Sequence, residues 1–399
     1  MASLLTLDEA HEQVLKAARP LPAENVPIAA AAGRVCAEDV RARIDLPPFA
    51  SSAMDGFAVL AADLPGTLRI SGESAAGRPF GARLEPGRAV AISTGAVVPE
   101  GADAVVPIEN VVRKDNAVEI SRPASLGANI RRRGGDVAAG SVVVPAGATF
   151  TPGRLAAAAA SGASELRCAR RPRVAVLATG SELVDPGGDL RPGQIYETNS
   201  LMLSSELAAA GAEIVTEPPV ADDERALRDA LERGLAADIL VTSGGVSVGE
   251  HDLVRAVLRE LGVEERFWRV SIKPGKPVSF GVRGETLVFG LPGNPVSALV
   301  GCELFVKPAL RVLQGIPDPL PRFEPGRLAA GLRRNAERDE FVRARLRTDG
   351  EALVLEPLTG QESHMIVRSA GADALVHIPR GNGEVGAGAT VRWLRLATG

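Results

Sequence analysis

The sequence predicts a multidomain α/β plus β protein built on a central α/β domain with a parallel sheet. Three observations carry this. Between residues 174 and 313 strand-like apolar runs alternate with helix-like segments, the pattern of a parallel sheet joined by crossover helices. From residue 26 to about 147, short apolar runs are broken by Gly, Pro and Asp, which reads as a β-rich module. After the four prolines of 314–325, a linker, further strand-like runs separated by Gly-rich turns read as a small all-β domain. A chain of 399 residues has room for about two to four domains at ~100–200 residues each.

The first element is a helix. Thr6 and Glu9 form a capping box, and Leu7, Ala10, Val14 and Ala17 or Ala18 recur at helical spacing until Pro20 and Pro22 stop it. Runs at 89–92, 104–108 and 141–144 read as short strands. Thr151 with Pro152 starts a helix through 155–160 that ends near Gly162. A polar hinge, RCARRPR, covers 167–173. Then come a buried-type strand at 174–178, the turn Thr179-Gly180-Ser181, and a helix over 200–210 capped by Asn199 and ended by Gly211. Ile214 and Val215 begin a strand, Asp223 opens the helix through Ala236, and 239–242 is a strand. Residues 252–261 read as helix, 287–289 as strand, and Pro295 starts a long helix towards Leu313. Strands at 341–346, 352–355, 374–378 and 390–396 complete the chain. No internal repeat of fixed period is present.

Composition excludes several function classes. Lys plus Arg is 45 and Asp plus Glu is 49, a net charge of −4, which argues against a bulk nucleic-acid binder. Aromatics are 3%, too few for stacking platforms along single-stranded nucleic acid. Cys36, Cys168 and Cys302 form no C-x-x-C pair, so neither a disulfide framework nor a thiolate zinc site is expected. His11, His251, His364 and His377 show no paired ligand spacing, and structural or surface roles are expected for them. The N-terminus lacks the features of a signal peptide and no run is long enough for a membrane span, so a soluble cytoplasmic protein is expected.

In an open parallel sheet, ligands bind beyond the carboxyl ends of the strands. Three strands of the middle domain end in unusual loops there: ATGSEL (178–183), TSGGVSVGEHD (242–252) and FGLPGNPVS (289–297). Glycines let a backbone approach a ligand, and free N–H groups at helix starts favour anions. A plain βα turn explains one such loop; three on one rim favour a site for a phosphorylated ligand. The chain has 40 Arg but only five Lys, and two of these, Lys273 and Lys276, lie in IKPGKP. Compact ammonium groups suit a small oxyanion, although a solvated surface turn is an equal reading of this segment alone. Asp55, Asp136, Glu182 and Asp252 are candidate carboxylates for a hard cation such as Mg²⁺, each also readable as a turn-former or cap.

SSAMDGFAV, STGAVVPEGADAVVPIE, RRRGGD, ATGSELV, GQIYETNSLML, TSGGVSVGEHD, IKPGKP and GLPGNPVSA together resemble the MoeA family, the molybdopterin molybdenumtransferases, to which the E domain of gephyrin also belongs. The resemblance covers about 4–396, in family order. It implies an elongated α+β domain from 1–46 and 139–170, an inserted β domain over 47–138, a molybdopterin-binding α/β domain over 171–315 and a β-barrel-like domain over 323–399. It implies a homodimer whose cleft joins the α/β domain of one subunit to β domains of the other. The implied reaction inserts molybdate into adenylylated molybdopterin with Mg²⁺-dependent release of AMP, the last step of molybdenum cofactor synthesis.

Carried over by motif, Asp55, Asp136, Glu182, Asp222 and Asp252 would be catalytic acids, with Asp223 the competing register for Asp222. Asp55, Glu182 and Asp252 would ligate Mg²⁺. Thr94, Arg131, Thr179, Gly180, Ser181, Ser243, Gly244, Gly245, Lys273, Lys276, Pro292, Gly293, Asn294, Pro295, Arg343 and Ser363 would bind substrate, with Arg345 able to stand in for Arg343. Glu197-Thr198 stands where the family often has Asp-Ser. The molybdopterin adenylyltransferase and acceptor molybdoenzymes are implied partners. Molybdopterin adenylylation is the nearest rival activity, against which the extra β modules and KPGKP speak. A partner-docking scaffold is the rival from another class.

Overall fold

The computed structural model describes every residue except 1–3, 217, 221–222, 246–252, 351 and 397–399. The chain divides into two compact units, Asn25–Cys168 and the combination of Met1–Glu24 with Ala169–Gly399.

The larger unit is organised on a six-stranded sheet of β1 (Arg173–Ala178), β2 (Glu213–Thr216), β3 (Ile239–Ser243), β4 (Glu264–Trp268), β5 (Ser279–Arg283) and β6 (Thr286–Leu291), in the order β2-β1-β3-β6-β5-β4. The first four of that order run parallel, as the strand–helix alternation predicts. The last two add something the alternation does not show. Only Gly284 and Glu285 separate β5 from β6, and a link that short joins antiparallel neighbours. β4 then pairs antiparallel with β5.

Both faces of the parallel strands are covered. Val174 and Val176 face a cluster with Leu203, Leu207, Phe289 and Leu310. Their neighbours Ala175 and Leu177 face the opposite cluster, with Leu227, Leu231, Val254 and Val257. Successive residues of a strand point to opposite faces, so an uninterrupted apolar run is what a two-sided strand requires. Helix α1 (Leu7–Ala17) carries the expected capping box, with Thr6 and Glu9 satisfying each other's backbone N–H groups. Its Leu7, Ala10 and Val14 join the first cluster.

The long C-terminal helix of this domain is not uniform. Pro295–Gly301 is α-helical, Cys302–Val306 is a π turn, and Lys307–Leu313 is α-helical again. Pro308 explains the wider turn: it has no N–H for the carbonyl of Leu304, and its ring crowds that carbonyl. The buried His11 of α1 takes up the orphan, donating from Nε2 to Leu304 O at 2.7 Å. One turn on, the half-buried Lys307 lies between the buried Glu303 and the half-buried Glu206, the latter at 2.6 Å. Burial pushes the Glu303 carboxyl up, while Lys307 opposes that shift. This ion group ties the long helix to α2 (Asn199–Ala209), and losing one partner would leave a buried charge at a cost of about 3–5 kcal/mol.

Asn199 differs from its expected role as a cap. It is the first residue inside α2; Thr198 holds the cap position, and the Glu197 carboxylate accepts the Ser200 N–H at 2.8 Å. Asp223 does cap its helix, Glu224–Gly234, by accepting from Ala226 N.

The C-terminal strands β7 (Glu324–Leu328), β8 (Asp339–Asp349), β9 (Ala352–Pro357), β10 (Ala374–Ile378) and β11 (Thr390–Arg395) close into a five-stranded barrel in the order β8-β9-β7-β11-β10 and back to β8. Closure removes exposed edges. Leu328, Ala344, Leu355, Val376 and Trp393 fill the interior.

The smaller unit holds a six-stranded sheet in the order 104–107, 56–59, 88–92, 66–74, 117–120 and 112–114. Beside it, Val40–Arg41 pairs with Val142–Val144, and helix Pro152–Ala160 starts on Thr151 as its cap. Cys36, Val144, Phe150, Ala158, Leu166 and Cys168 form the core there.

Burial holds the His11 imidazole below its usual value, so it is neutral in the folded protein. Its stabilisation is complete above about pH 6.5 and is lost as pH falls through the depressed folded value. Urea unfolding of His11→Ala at pH 7.5 is expected to show a loss of about 1–3 kcal/mol from the orphaned carbonyl, plus lost packing. His11→Gln, which keeps a donor, should flatten the decline in stability between pH 6.5 and 5 that the unaltered protein shows.

Candidate functional site

Register brings the ends of the parallel strands level. Ala178 of β1 stands beside Ser243 of β3, and Ser243 beside Leu291 of β6. The three loops leaving these ends line one open cavity of about 730 Å³. Thr179, Gly180 and Glu182 come from the first loop, Ser243, Gly244 and Gly245 from the second, and Pro292, Gly293, Asn294 and Pro295 from the third. Ten of the residues singled out in the sequence therefore share one wall.

Two glycines are required there by geometry. Gly244 has φ +95°, and a Cβ on it would stand 2.4 Å from the Thr179 carbonyl oxygen. Gly245 has φ +64°, and a Cβ would stand 2.2 Å from Val254 Cγ2. Both conditions exclude L side chains, so the loop presents bare backbone to the cavity. The second and third loops are also stapled together. Asn199 donates from Nδ2 to Ser243 Oγ at 2.8 Å and to Gly293 O at 2.7 Å. Sequence reasoning missed this role because an Asn at a helix start looks like a cap; Glu197, two residues earlier, was the available sign that the cap was already supplied.

Other candidates lie around the cavity. Asn294 donates to Ser363 Oγ at 3.0 Å, and Val296 N–H to Ser363 O at 3.1 Å, which brings the 361–365 loop of the barrel to the rim. His364 of that loop lines the cavity, although its spacing gave no hint of a site. Arg343 does not line it. It is 1% exposed, and its guanidinium donates to Met365 O, Gly360 O, Glu362 O and Ser369 Oγ. It fixes the loop carrying Ser363 and His364 instead of offering a free fork. Arg345, its alternative, is exposed and donates to Gly371 O at 3.2 Å. Lys273 is exposed and pairs with Glu340 at 2.6 Å. Lys276 is exposed beside Pro277, which lines the cavity. Ser181 is exposed on the first loop. Asp222 and Asp252, with His251, lie outside the described residues.

The described part of the cavity wall is acidic. Its described lining residues include Glu182 and Glu197 and no Lys or Arg. No group of three His, Cys, Asp or Glu side chains gathers among the described residues. A cation between a phosphorylated ligand and these carboxylates would offset their mutual repulsion. Mg²⁺ takes one or two carboxylates together with phosphate oxygens and water, so hard oxygen donors such as Glu182 fit it.

In the smaller unit, Asp55, Thr94, Arg131 and Asp136 are exposed on adjoining segments. Thr94 N–H donates to Asp55 Oδ1 at 2.8 Å. Arg131 pairs with Ser51, and Ser52 N–H donates to Ala96 O. Asp136 N–H donates to Leu46 O. Asp45, not singled out in the sequence, braces this loop: it accepts from Ala139 N–H at 2.9 Å and from Arg133 Nε at 2.7 Å. These two donors hold its carboxyl below the usual range.

Comparison with known proteins matches the chain in three stretches. "MoeA N-terminal region (domain I and II)" matches residues 5–162, "Probable molybdopterin binding domain" matches 175–312, and "MoeA C-terminal region (domain IV)" matches 325–396. The chain belongs to the MoeA family. Among its relatives, molybdopterin molybdenumtransferase 2 of Mycobacterium tuberculosis is 40% identical, over 94% of this chain and 95% of that protein. Molybdopterin molybdenumtransferase of Haemophilus influenzae is 38% identical, over 97% and 98%. A crystal structure of a molybdopterin biosynthesis MoeA protein from Pyrococcus horikoshii superimposes with a TM-score of 0.84 at 32% identity, covering 98% of this chain and 99% of that one. The MoeA fold, with its mixed sheets and closed barrel, accounts for both units.

Asn199→Ala removes the donor to two rim loops. Hydrogen–deuterium exchange should quicken at 243–245 and at 293, with stability lower by about 1–3 kcal/mol. Asn199→Asp, which keeps the size but not the donor, should behave alike. Unchanged protection in both variants would show that the loops hold without the staple.

Proposed function

We propose that this MoeA-family chain is a molybdopterin molybdenumtransferase that inserts molybdate into adenylylated molybdopterin with Mg²⁺-dependent release of AMP, the last step of molybdenum cofactor biosynthesis. The names of relatives that match nearly end to end support the activity. The observation that carries the substrate is the cavity itself: three strand ends, bare glycine backbone and an acidic wall that calls for a cation-bridged anion.

The task is to hold two anions and a cation together, so positioning and charge neutralisation do most of the work. Gly244 and Gly245 admit phosphate oxygens to the backbone. When bound, Mg²⁺ would be held by Glu182 and Asp252, with the β-domain carboxylate Asp55, supplied in the homodimer by the other subunit, as the third proposed ligand, and would neutralise the phosphoanhydride. Asn199 keeps the loops in register, and Arg343 orients Ser363 and His364. Asp136 and Asp222 are proposed as further acids; Asp223 is committed to its helix cap, which favours Asp222 in that register. Lys273 and Lys276 remain the proposed oxyanion contacts, Lys273 by exchanging Glu340 for the ligand.

The reading extends to a cytoplasmic homodimer in which the partner subunit brings its own β-domain carboxylate, Thr and Arg to the cavity, and to the four domain boundaries given by the motifs. Adenylylation explains neither the N-terminal nor the C-terminal region, and the rim geometry gives a pure docking protein no reason for its glycines.

Incubation with adenylylated molybdopterin, molybdate and Mg²⁺ should yield AMP and active cofactor together. Chelation should stop the reaction and Mg²⁺ restore it. Glu182→Gln should slow turnover by at least ~10-fold. AMP release at the full rate in Glu182→Gln would remove that residue from the reaction.

A further inference from the structure

We infer that Tyr196 is a stacking platform for a flat heteroaromatic ring of the ligand, so that the cavity is read from two ends. This rests on the transferase reading and adds where the ring lies. Tyr196 is the only tyrosine in a chain with 3% aromatics, and it lines the cavity at 43% exposure. Its neighbour Ile195 lines the same wall and is 54% exposed.

Large apolar groups left open beside a ligand cavity ask for a partner. The Tyr196 ring is held ready for one. Its hydroxyl donates to Gly188 O at 3.0 Å, and the strand Ile195–Tyr196 is paired with Leu183–Val184 behind the Glu182 loop. No other ring and no guanidinium stacks on it among the described residues. A tethered tyrosine loses little conformational freedom on binding and offers an aromatic face to any base. The glycine loops 244–245 and 293 line the same cavity and, as bare backbone, suit phosphate oxygens. The cavity thus fits a ligand that is flat and aromatic at one end and anionic at the other. Adenine and a pterin both meet that description.

Calorimetric titration separates the possibilities. AMP carries only the adenine ring, molybdopterin without the adenylate carries only the pterin, and ribose 5-phosphate carries neither. Tyr196→Ala should weaken whichever ring ligand stacks by about 5- to 150-fold, the span of one base on an aromatic side chain. Tyr196→Phe keeps the face and should stay within about threefold of the unaltered protein, and ribose 5-phosphate should bind all three proteins alike. A drop for AMP alone assigns the platform to adenine, and a drop for molybdopterin alone assigns it to the pterin. Equal affinities in Tyr196→Ala and the unaltered protein for both ring ligands would overturn the platform and leave the transferase reading standing. An equal loss for ribose 5-phosphate would also overturn it, by showing a phosphate or folding effect. Failure of the unaltered protein to bind either ring ligand would overturn the transferase reading and the platform with it.

Discussion

The parallel register of β1, β3 and β6 is the constraint from which the rest of the site follows. It sets three loops at one level, so that residues more than a hundred positions apart meet on a single wall. Parallel strands need crossovers, and the crossovers bury both faces of the sheet; the continuous apolar runs at 174–178 and 239–241 are the price in sequence. Once the strand ends are level, the loops must pass close to one another. Gly244 and Gly245 are the positions at which a Cβ would collide with Thr179 and Val254, and Asn199 is the side chain that turns closeness into hydrogen bonds.

The support behind that wall is layered in the same way. α2 carries Asn199 at one end and Glu206 further along, and Lys307 ties Glu206 to the long helix whose first residue, Pro295, belongs to the third loop. Pro308 opens that helix into a π turn, and His11 closes the account for the freed carbonyl from a helix at the opposite end of the chain. The barrel contributes through Arg343, a buried guanidinium spent on the loop that brings Ser363 and His364 to the rim.

Much of this was legible in the sequence, and the gaps have physical causes. The Thr6–Glu9 capping box, the strand–helix alternation and the three rim loops are local signals, and each stands where it was expected. What escaped depends on distant partners. His11 finds its acceptor 293 residues away, which no periodicity reports. Asn199 at a helix start reads as a cap until Thr198 is seen in that place, with the Glu197 carboxylate accepting the Ser200 N–H. The antiparallel strands follow from a two-residue turn that an α/β pattern does not forecast. Arg343 was carried over by motif as a substrate contact, whereas four oxygen acceptors of the 360–369 segment hold its guanidinium.

The acidic wall makes the central claim testable, because a cation there would offset its repulsion of an anion. The most direct measurement is the affinity for AMP, by calorimetry, as Mg²⁺ is raised from none to millimolar, in the unaltered protein and in Glu182→Gln. The account predicts that affinity climbs with Mg²⁺ in the unaltered protein and that most of this dependence disappears in Glu182→Gln. AMP affinity that ignores Mg²⁺, or a Mg²⁺ dependence that Glu182→Gln leaves intact, would contradict it.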